Sequence, residues 1–283
     1  MERIREALER ARQERSGNAL GGGAGTAPAA RSEAEPIVYT QTRTVDVASR
    51  LLREKRIITE FEPGLFTDAY KILGTQVLQR LREKGWNSLA ITSPGENEGK
   101  TLTAINLAIS LSMEVEHTVL LVDADLRHPR VHEYFGMRPT SGLSDYLTAD
   151  APLEQMLLHP GIGGFVILPG GKPLRNSSEM LGASKMAQLV QELKTRYPER
   201  IVLFDLPPLL SVADALAFSP YVDAALLVVE EGKTSRDDVV RAAELLSGTN
   251  LLGTVLNKSG ELTEETAEKS GNWFSRLLRR GSH

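Results

Sequence analysis

Thr92-Ser93-Pro94-Gly95-Glu96-Asn97-Glu98-Gly99-Lys100-Thr101 is the stretch that decides how this chain is read. It follows an apolar run of strand length at 89–92 and precedes residues 102–112, whose apolar side chains recur at helical spacing. A strand feeding a glycine-bearing bend that opens a helix is the context of a phosphate-binding loop, where backbone N–H groups and the positive helix end converge on one phosphate. In such a loop Lys100 reaches the outer phosphate oxygens and the Thr101 hydroxyl ligates a divalent cation. Gly99 lets the backbone approach with no Cβ in the way. Gly95, Glu98 and Leu102 complete the expected ligand-binding positions. Strict motif spacing puts glycine at 94, where this chain has proline; taken alone, the segment also reads as a Gly-Lys-Thr at a turn.

Two further segments point to the same chemistry. Residues 119–127 read VLLVDADLR, an apolar strand ending in Asp123 and Asp125 and followed by Arg127. A third strand, 201–204, delivers Asp205 ahead of Leu206-Pro207-Pro208. Open parallel sheets bind ligands at the carboxyl ends of their strands, and a carboxylate there holds Mg2+ directly or through water. Each strand end by itself is equally a pair of solvated acids; the three elements in this order are hard to obtain by accident. The expected metal set is Thr101, Asp123, Asp125 and Asp205, and the expected catalytic set is Lys100, Asp123, Asp125 and Asp205. Arg127 faces phosphate or pairs with a nearby acid, and both readings stay open.

Strand-length apolar runs also occur at 165–168, 224–229 and 251–256, with helix-patterned segments between them. The run 65–84 reads as a helix, with Leu73, Val77, Leu78 and Leu81 at helical spacing. Strands alternating with helices predict an α/β fold: a mostly parallel sheet flanked by helices on both faces, of the P-loop NTPase type. Phe61, Phe66 and Tyr70 are expected in its core.

Together the phosphate loop, the Asp-x-Asp-x-Arg strand and the Asp-x-Pro-Pro strand resemble the cytoplasmic domain of bacterial tyrosine kinases (BY-kinases), ATP-dependent regulators of exopolysaccharide and capsule synthesis. The likeness covers roughly residues 63–260 and includes Ser141-Gly142-Leu143-Ser144, Leu168-Pro169-Gly170-Gly171 and the stretch 214–234. More narrowly, the chain is similar to separate-chain autokinases of exosortase-type exopolysaccharide loci. Partition and septum-site ATPases share the loop and sheet but usually carry a signature Lys near the loop's start, and residues 92–99 contain none.

The resemblance implies an ATP- and Mg2+-dependent protein-tyrosine autokinase, with Asp123 orienting or deprotonating the incoming hydroxyl. It leaves the division of labour between Asp123 and Asp125 open. It gives Asn257 the adenine edge, which an amide suits by donating and accepting at once; a strand-end turn is the other reading. The implied partners are a membrane polysaccharide co-polymerase or chain-length protein and further copies of the chain. The runner-up reading is an ATP-gated docking switch of the same fold, without physiological tyrosine transfer.

Three departures stand out. The family's terminal tyrosine cluster is missing: the tyrosines are Tyr39, Tyr70, Tyr134, Tyr146, Tyr197 and Tyr221, which leaves Tyr39 as the candidate acceptor. The family's oligomerisation helix carries Glu-x-x-Arg-x-x-Arg, whereas residues 68–74 read DAYKILG. Asp205 is followed by Leu206 where Ser or Thr is common.

Composition sets the outer bounds. A formal charge of −4 over 283 residues argues against a general nucleic-acid binder. The absence of cysteine excludes thiolate metal sites, disulfides and a cysteine nucleophile. No apolar run approaches the ~20 residues of a membrane span, so the expected location is cytoplasmic, peripheral at the inner membrane face. The expected organisation is a charged helix at 1–16, a flexible linker at 17–62, the kinase domain at 63–260 and a tail at 261–283. In that tail, Trp273-Arg280 combines Trp273, Phe274, Leu277 and Leu278 with three arginines; it contacts an anionic membrane surface or folds back on the domain. His128 and His132 lie four apart with no third ligand evident.

Overall fold

Apolar side chains that alternate between two buried faces organise the domain. The computed structural model describes residues 42–59, 64–113, 118–196 and 199–260. The expected segments at 1–16 and 261–283, with Tyr39, Phe61, Tyr197 and the 273–280 stretch, lie outside them.

Among the described residues the strands are β1 (Arg43–Thr44), β2 (Ser88–Thr92), β3 (Thr118–Asp123), β4 (Leu158–His159), β5 (Phe165–Leu168), β6 (Arg200–Asp205), β7 (Ala224–Glu230) and β8 (Asn250–Asn257). They form one sheet in the order β1-β4-β5-β3-β6-β2-β7-β8. Neighbours from β5 to β8 pair in parallel, as the alternating pattern predicts. The short β4 is antiparallel to β5, and β1 runs parallel to β4. Neither two-residue strand has a readable period.

Leu89, Ile91, Val119, Leu121, Ile201 and Leu203 point to one face; Ala90, Leu120, Val122, Val202 and Phe204 point to the other. The first face is covered by α1 (Ser49–Glu54), α2 (Leu65–Lys84) and α3 (Lys100–Ser112), through residues such as Leu52, Val77, Leu81, Ile105 and Ile109. The remaining helices follow in order: α4 (Val131–Tyr134), α5 (Leu143–Ala149), α6 (Ser177–Leu181), α7 (Ser184–Arg196), α8 (Asp214–Phe218) and α9 (Arg236–Leu245). The second face receives α5, α7, α8 and α9 through Leu143, Leu189, Phe218 and Ala242.

Two expectations are corrected. Of the segment expected as a flexible linker over 17–62, residues 42–59 are part of the fold, with Leu52, Ile57 and Ile58 buried. The amide of Asn106 on α3 clasps that segment, donating to Arg56 O at 3.0 Å and accepting from Ile58 N at 3.0 Å. The apolar residues are too few and too scattered for periodicity to show, yet each finds a place on the first face. Phe66, expected in the core, is 43% exposed; it lies in the first turn of α2 and meets Tyr70 edge-on at 5.1 Å. Tyr70 itself is buried.

Candidate active site

Register builds the site. Asp123 and Asp205 end the adjacent strands β3 and β6 and are direct partners in the parallel ladder, with Ile91 of β2 opposite Asp205. By strand alternation both carboxylates share the face of Leu121 and Leu203, the face that α3 covers. Beyond β2 the chain turns through Pro94–Gly99 and enters α3 at Lys100. The helix therefore begins beside the two carboxylates.

The polar network is dense. Lys100 Nζ lies 2.8 Å from Asp125 Oδ2 and 3.7 Å from Asp205 Oδ1. The Thr101 hydroxyl donates to Asp205 Oδ2 at 2.7 Å. Asp123 Oδ2 accepts from Val131 N at 3.0 Å, and Asp125 Oδ1 accepts from His128 N at 3.1 Å. All three aspartates are buried. Burial, reinforced by neighbouring Asp205, pushes Asp123 well above the usual carboxylate range. Burial likewise raises Asp205 to about 6, against the pull of Lys100 and Thr101. For Lys100 burial works the other way, but Asp205 and Asp125 outweigh it and hold its pKa above the ordinary lysine value.

Asp123 Oδ1 and Asp205 Oδ1 are buried with no hydrogen-bond partner. Two orphaned anionic oxygens beside a threonine hydroxyl are hard oxygen donors, and they fit Mg2+. Among the described residues no three acidic, histidine or cysteine side chains enclose a metal by themselves. That also suits Mg2+, which keeps waters and phosphate oxygens as ligands.

Expected ligand positions divide into those that face this centre and those that brace it. Gly99 has φ +94°, and a Cβ there would run into Asn257 Nδ2. Asn257 donates from Nδ2 to Glu98 O at 2.9 Å, so its observed contact is with the loop. The Glu98 carboxylate is also internal: Oε2 accepts from Gly95 N at 2.8 Å, and Oε1 accepts from the Thr234 hydroxyl. Leu102 sits partly buried in the first turn of α3. Arg127 takes the acid of its two readings: Nε lies 3.2 Å from Asp214 Oδ1, which also accepts from Ser178 Oγ at 2.6 Å.

Thr234, Lys233 and Lys258 escaped the sequence reading. Lys233 and Lys258 donate to the carbonyls of Glu96 and Asn97 at 2.9 and 2.7 Å. Their only linear signal is that they follow the apolar runs of β7 and β8. His128 and His132 are brought to no metal-ligating group among the described residues.

With this geometry established, comparison with known proteins gives the class. Residues 89–272 match the CobQ/CobB/MinD/ParA nucleotide binding domain family, and the chain belongs to that nucleotide-binding family. Within it, the chain groups with bacterial tyrosine-protein kinases. It is 33% identical over 207 residues to the tyrosine-protein kinase YwqD of Bacillus subtilis (strain 168), covering 72% of this chain and 86% of YwqD. It is 32% identical over 192 residues to the tyrosine-protein kinase etk of Escherichia coli (strain K12), covering 67% of this chain but 26% of etk. The chain thus spans about a quarter of that relative's length. The solved kinase domain of etk superposes with a TM-score of 0.65 at 29% identity, over 80% of this chain and 91% of that one. The septum site-determining protein MinD of Pyrococcus horikoshii OT3, solved with Mg-ADP, gives 0.51 at 25% identity, over 65% and 76%. Among the described residues no helix is long and apolar enough to cross a membrane.

Proposed function

We infer that this chain is an ATP- and Mg2+-dependent protein-tyrosine kinase. The observation that carries the reading is the pair of buried carboxylate oxygens without partners beside Lys100 and Thr101, in a chain whose relatives are named tyrosine-protein kinases. MinD holds Mg-ADP on the same fold.

Bound Mg2+ supplies charge compensation for the β- and γ-phosphates. Thr101 and Asp205 are the residues that would hold it, Asp205 through water, which leaves the unpartnered oxygen of Asp123 free. Gly95 to Leu102 form the phosphate cradle, and Lys100 offsets charge on the transferring group. Asp125 is already the counter-ion of Lys100 and is tied to His128 N. Asp123, with one free oxygen and a raised pKa, is the better proton acceptor. In the reaction the phenolic oxygen bonds to the γ-phosphorus, the bond from that phosphorus to the β–γ bridging oxygen breaks, ADP leaves, and the phenolic proton passes to Asp123. Such transfer depends mostly on placement and electrostatics.

The proposed acceptor within the chain is Tyr39. Because β1 runs antiparallel to β5, with Arg43 level with Leu158 and Leu158 with Ile167, the chain enters the sheet at the edge where β5 and β3 end. Tyr39 precedes that entry by four residues. The Klebsiella pneumoniae relative is named for a cps region, which supports a role in exopolysaccharide biosynthesis. A membrane co-polymerase as partner, self-association and a peripheral membrane position remain part of this proposal.

Incubating the purified chain with ATP and Mg2+, then mapping phosphotyrosine by mass spectrometry, tests the reading. Phosphate on tyrosine that disappears on omission of Mg2+ supports it. Hydrolysis of ATP with no phosphotyrosine on the chain or on an added tyrosine peptide would replace it with an ATP-operated docking switch.

A further inference from the structure

Two loops border the catalytic carboxylates on the side away from the phosphate loop. The first follows β3 and reads Leu126-Arg127-His128-Pro129-Arg130; it is strung between Asp125, which holds His128 N, and Asp123, which holds Val131 N. The second follows β5 and reads Pro169-Gly170-Gly171-Lys172-Pro173-Leu174-Arg175-Asn176. The two are packed together. Leu174 N donates to Leu126 O at 2.8 Å, and a Cβ on Gly170 would lie 2.7 Å from Pro129 Cβ and 3.0 Å from Asp123 O.

Beyond Asp125, which pairs with Lys100, these loops carry Arg127, Arg130, Lys172, Arg175 and His128 and no further carboxylate, although the whole chain is net acidic. Arg127 is committed to Asp214. Arg130, Lys172 and Arg175 are exposed, and no described group pairs with their side chains. Glu133 and Glu179 are the exposed acids of the helices that follow, α4 and α6, and neither interrupts the loops. Among the described residues, three exposed cations on adjoining loops at this end of the sheet have no acidic partner.

Nucleotide phosphate is not that reason. In the strand order β5-β3-β6-β2 the phosphate loop follows β2, roughly 10 Å from the end of β3 and roughly 15 Å from the end of β5 at the usual strand spacing. The carboxylates stand between. Arg130, Lys172 and Arg175 lie on the two loops at the opposite side of the carboxylates from the phosphate loop, the side left for an acceptor hydroxyl in an in-line transfer.

We propose that Arg130, Lys172 and Arg175 form a cationic rim that selects acceptor tyrosines flanked by carboxylates, the occupant being an acidic tyrosine-bearing segment of a separate polypeptide. This rests on the kinase reading above and adds its substrate class. The rim acts on docking: complementary charge concentrates and orients an acidic segment over Asp123. An exposed ion pair is worth up to about fivefold in affinity, so the three together amount to about tenfold or more.

The test uses the full chain with MgATP and two synthetic peptides of one sequence, the tyrosine flanked by glutamates in one and by glutamines in the other, with a lysine-flanked third for the reversed-charge variant. The expected KM for the glutamate peptide is about tenfold lower, a gap that closes as salt approaches ~0.5 M, where the screening length falls to a few ångströms. Charge reversal of all three positions (R130E, K172E, R175E) should raise KM for the glutamate peptide by tenfold or more and turn the preference toward a lysine-flanked peptide. Thermal stability, MgATP affinity and kcat should stay within about twofold, and R130K, K172R, R175K should restore the wild-type preference. Equal KM for both peptides, or a reversed-charge variant that loses kcat on both peptides alike, overturns the rim alone. No transfer to either peptide while MgATP is bound overturns the kinase reading and the rim with it.

Discussion

Asp123 and Asp205 stand on one register level of adjacent parallel strands, and each keeps a buried carboxylate oxygen that accepts no hydrogen bond, that of Asp205 facing Lys100 Nζ at 3.7 Å. Without a cation this arrangement stores unfavourable electrostatics, since burial has lifted both groups out of the normal carboxylate range. A site shaped for a metal costs the apo fold stability, and the cost has a pH signature.

Asp205→Asn should therefore stabilise the metal-free protein at neutral pH. The folded pKa of about 6 lies above the ordinary 3.8, a gap worth up to roughly 3 kcal/mol. Because the folded value is raised, the penalty is absent below pH ~4, grows as pH rises, and is complete above about 6. Thermal melts in EDTA should show a higher Tm for the variant at pH 7.5 and no difference near pH 4. An unchanged or lower Tm at pH 7.5 contradicts the assignment.

The same variant should bind Mg2+ with nucleotide more weakly. In the wild type, uptake of Mg2+ below pH ~6 has to displace a proton from Asp205, so apparent affinity falls by up to tenfold per pH unit there. Calorimetry of Mg2+-dependent ADP binding at pH 5 and 7.5 reads this directly.

Lys100→Met removes the one cation among three buried aspartates. Charge-assisted contacts contribute roughly 1.5–3 kcal/mol each, so phosphotransfer should fall by about a hundredfold or more. Phosphotyrosine on a peptide acceptor measures it, and a loss under tenfold would remove Lys100 from the transfer step.

Gly99→Ala meets two obstacles: a left-handed φ of +94° and the Asn257 side chain. Adding Asn257→Ala relieves the second and leaves the first, which for a residue with a Cβ costs roughly 1–2 kcal/mol. A double-mutant cycle on Tm should show coupling of about 1 kcal/mol or more, with Asn257→Ala less harmful in the Gly99→Ala background than in the wild type.

Arg127→Ala separates its two readings. Asp214 is fully buried while Arg127 is 35% exposed and Ser178 also donates to Asp214, so stripping the partner from this half-buried pair costs roughly 1–3 kcal/mol. A large fall in Tm, recovered by adding Asp214→Asn, marks the ion pair as structural; an unchanged Tm with weakened nucleotide affinity would instead return Arg127 to the phosphates.

Residues 89–101, 119–127 and 201–208 were sufficient to define the phosphate loop and the acidic strand ends, and with the apolar runs at 165–168, 224–229 and 251–256 they defined the fold class and the main strand positions. Those features are local: an apolar run with period two and a glycine-bearing bend leave their mark within ten residues of chain. The pairing of Lys100 with Asp125, the turning of Arg127 to Asp214, the anchoring of Asn257 on Glu98 and the packing of residues 42–59 were decided by tertiary structure. Each joins residues 25 to 159 positions apart, and which buried charge meets which partner depends on strand order and register, which no pattern along the chain encodes. The cationic rim has the same origin. Its two loops, some forty residues apart in sequence, become one surface only because β3 and β5 are neighbours in the sheet.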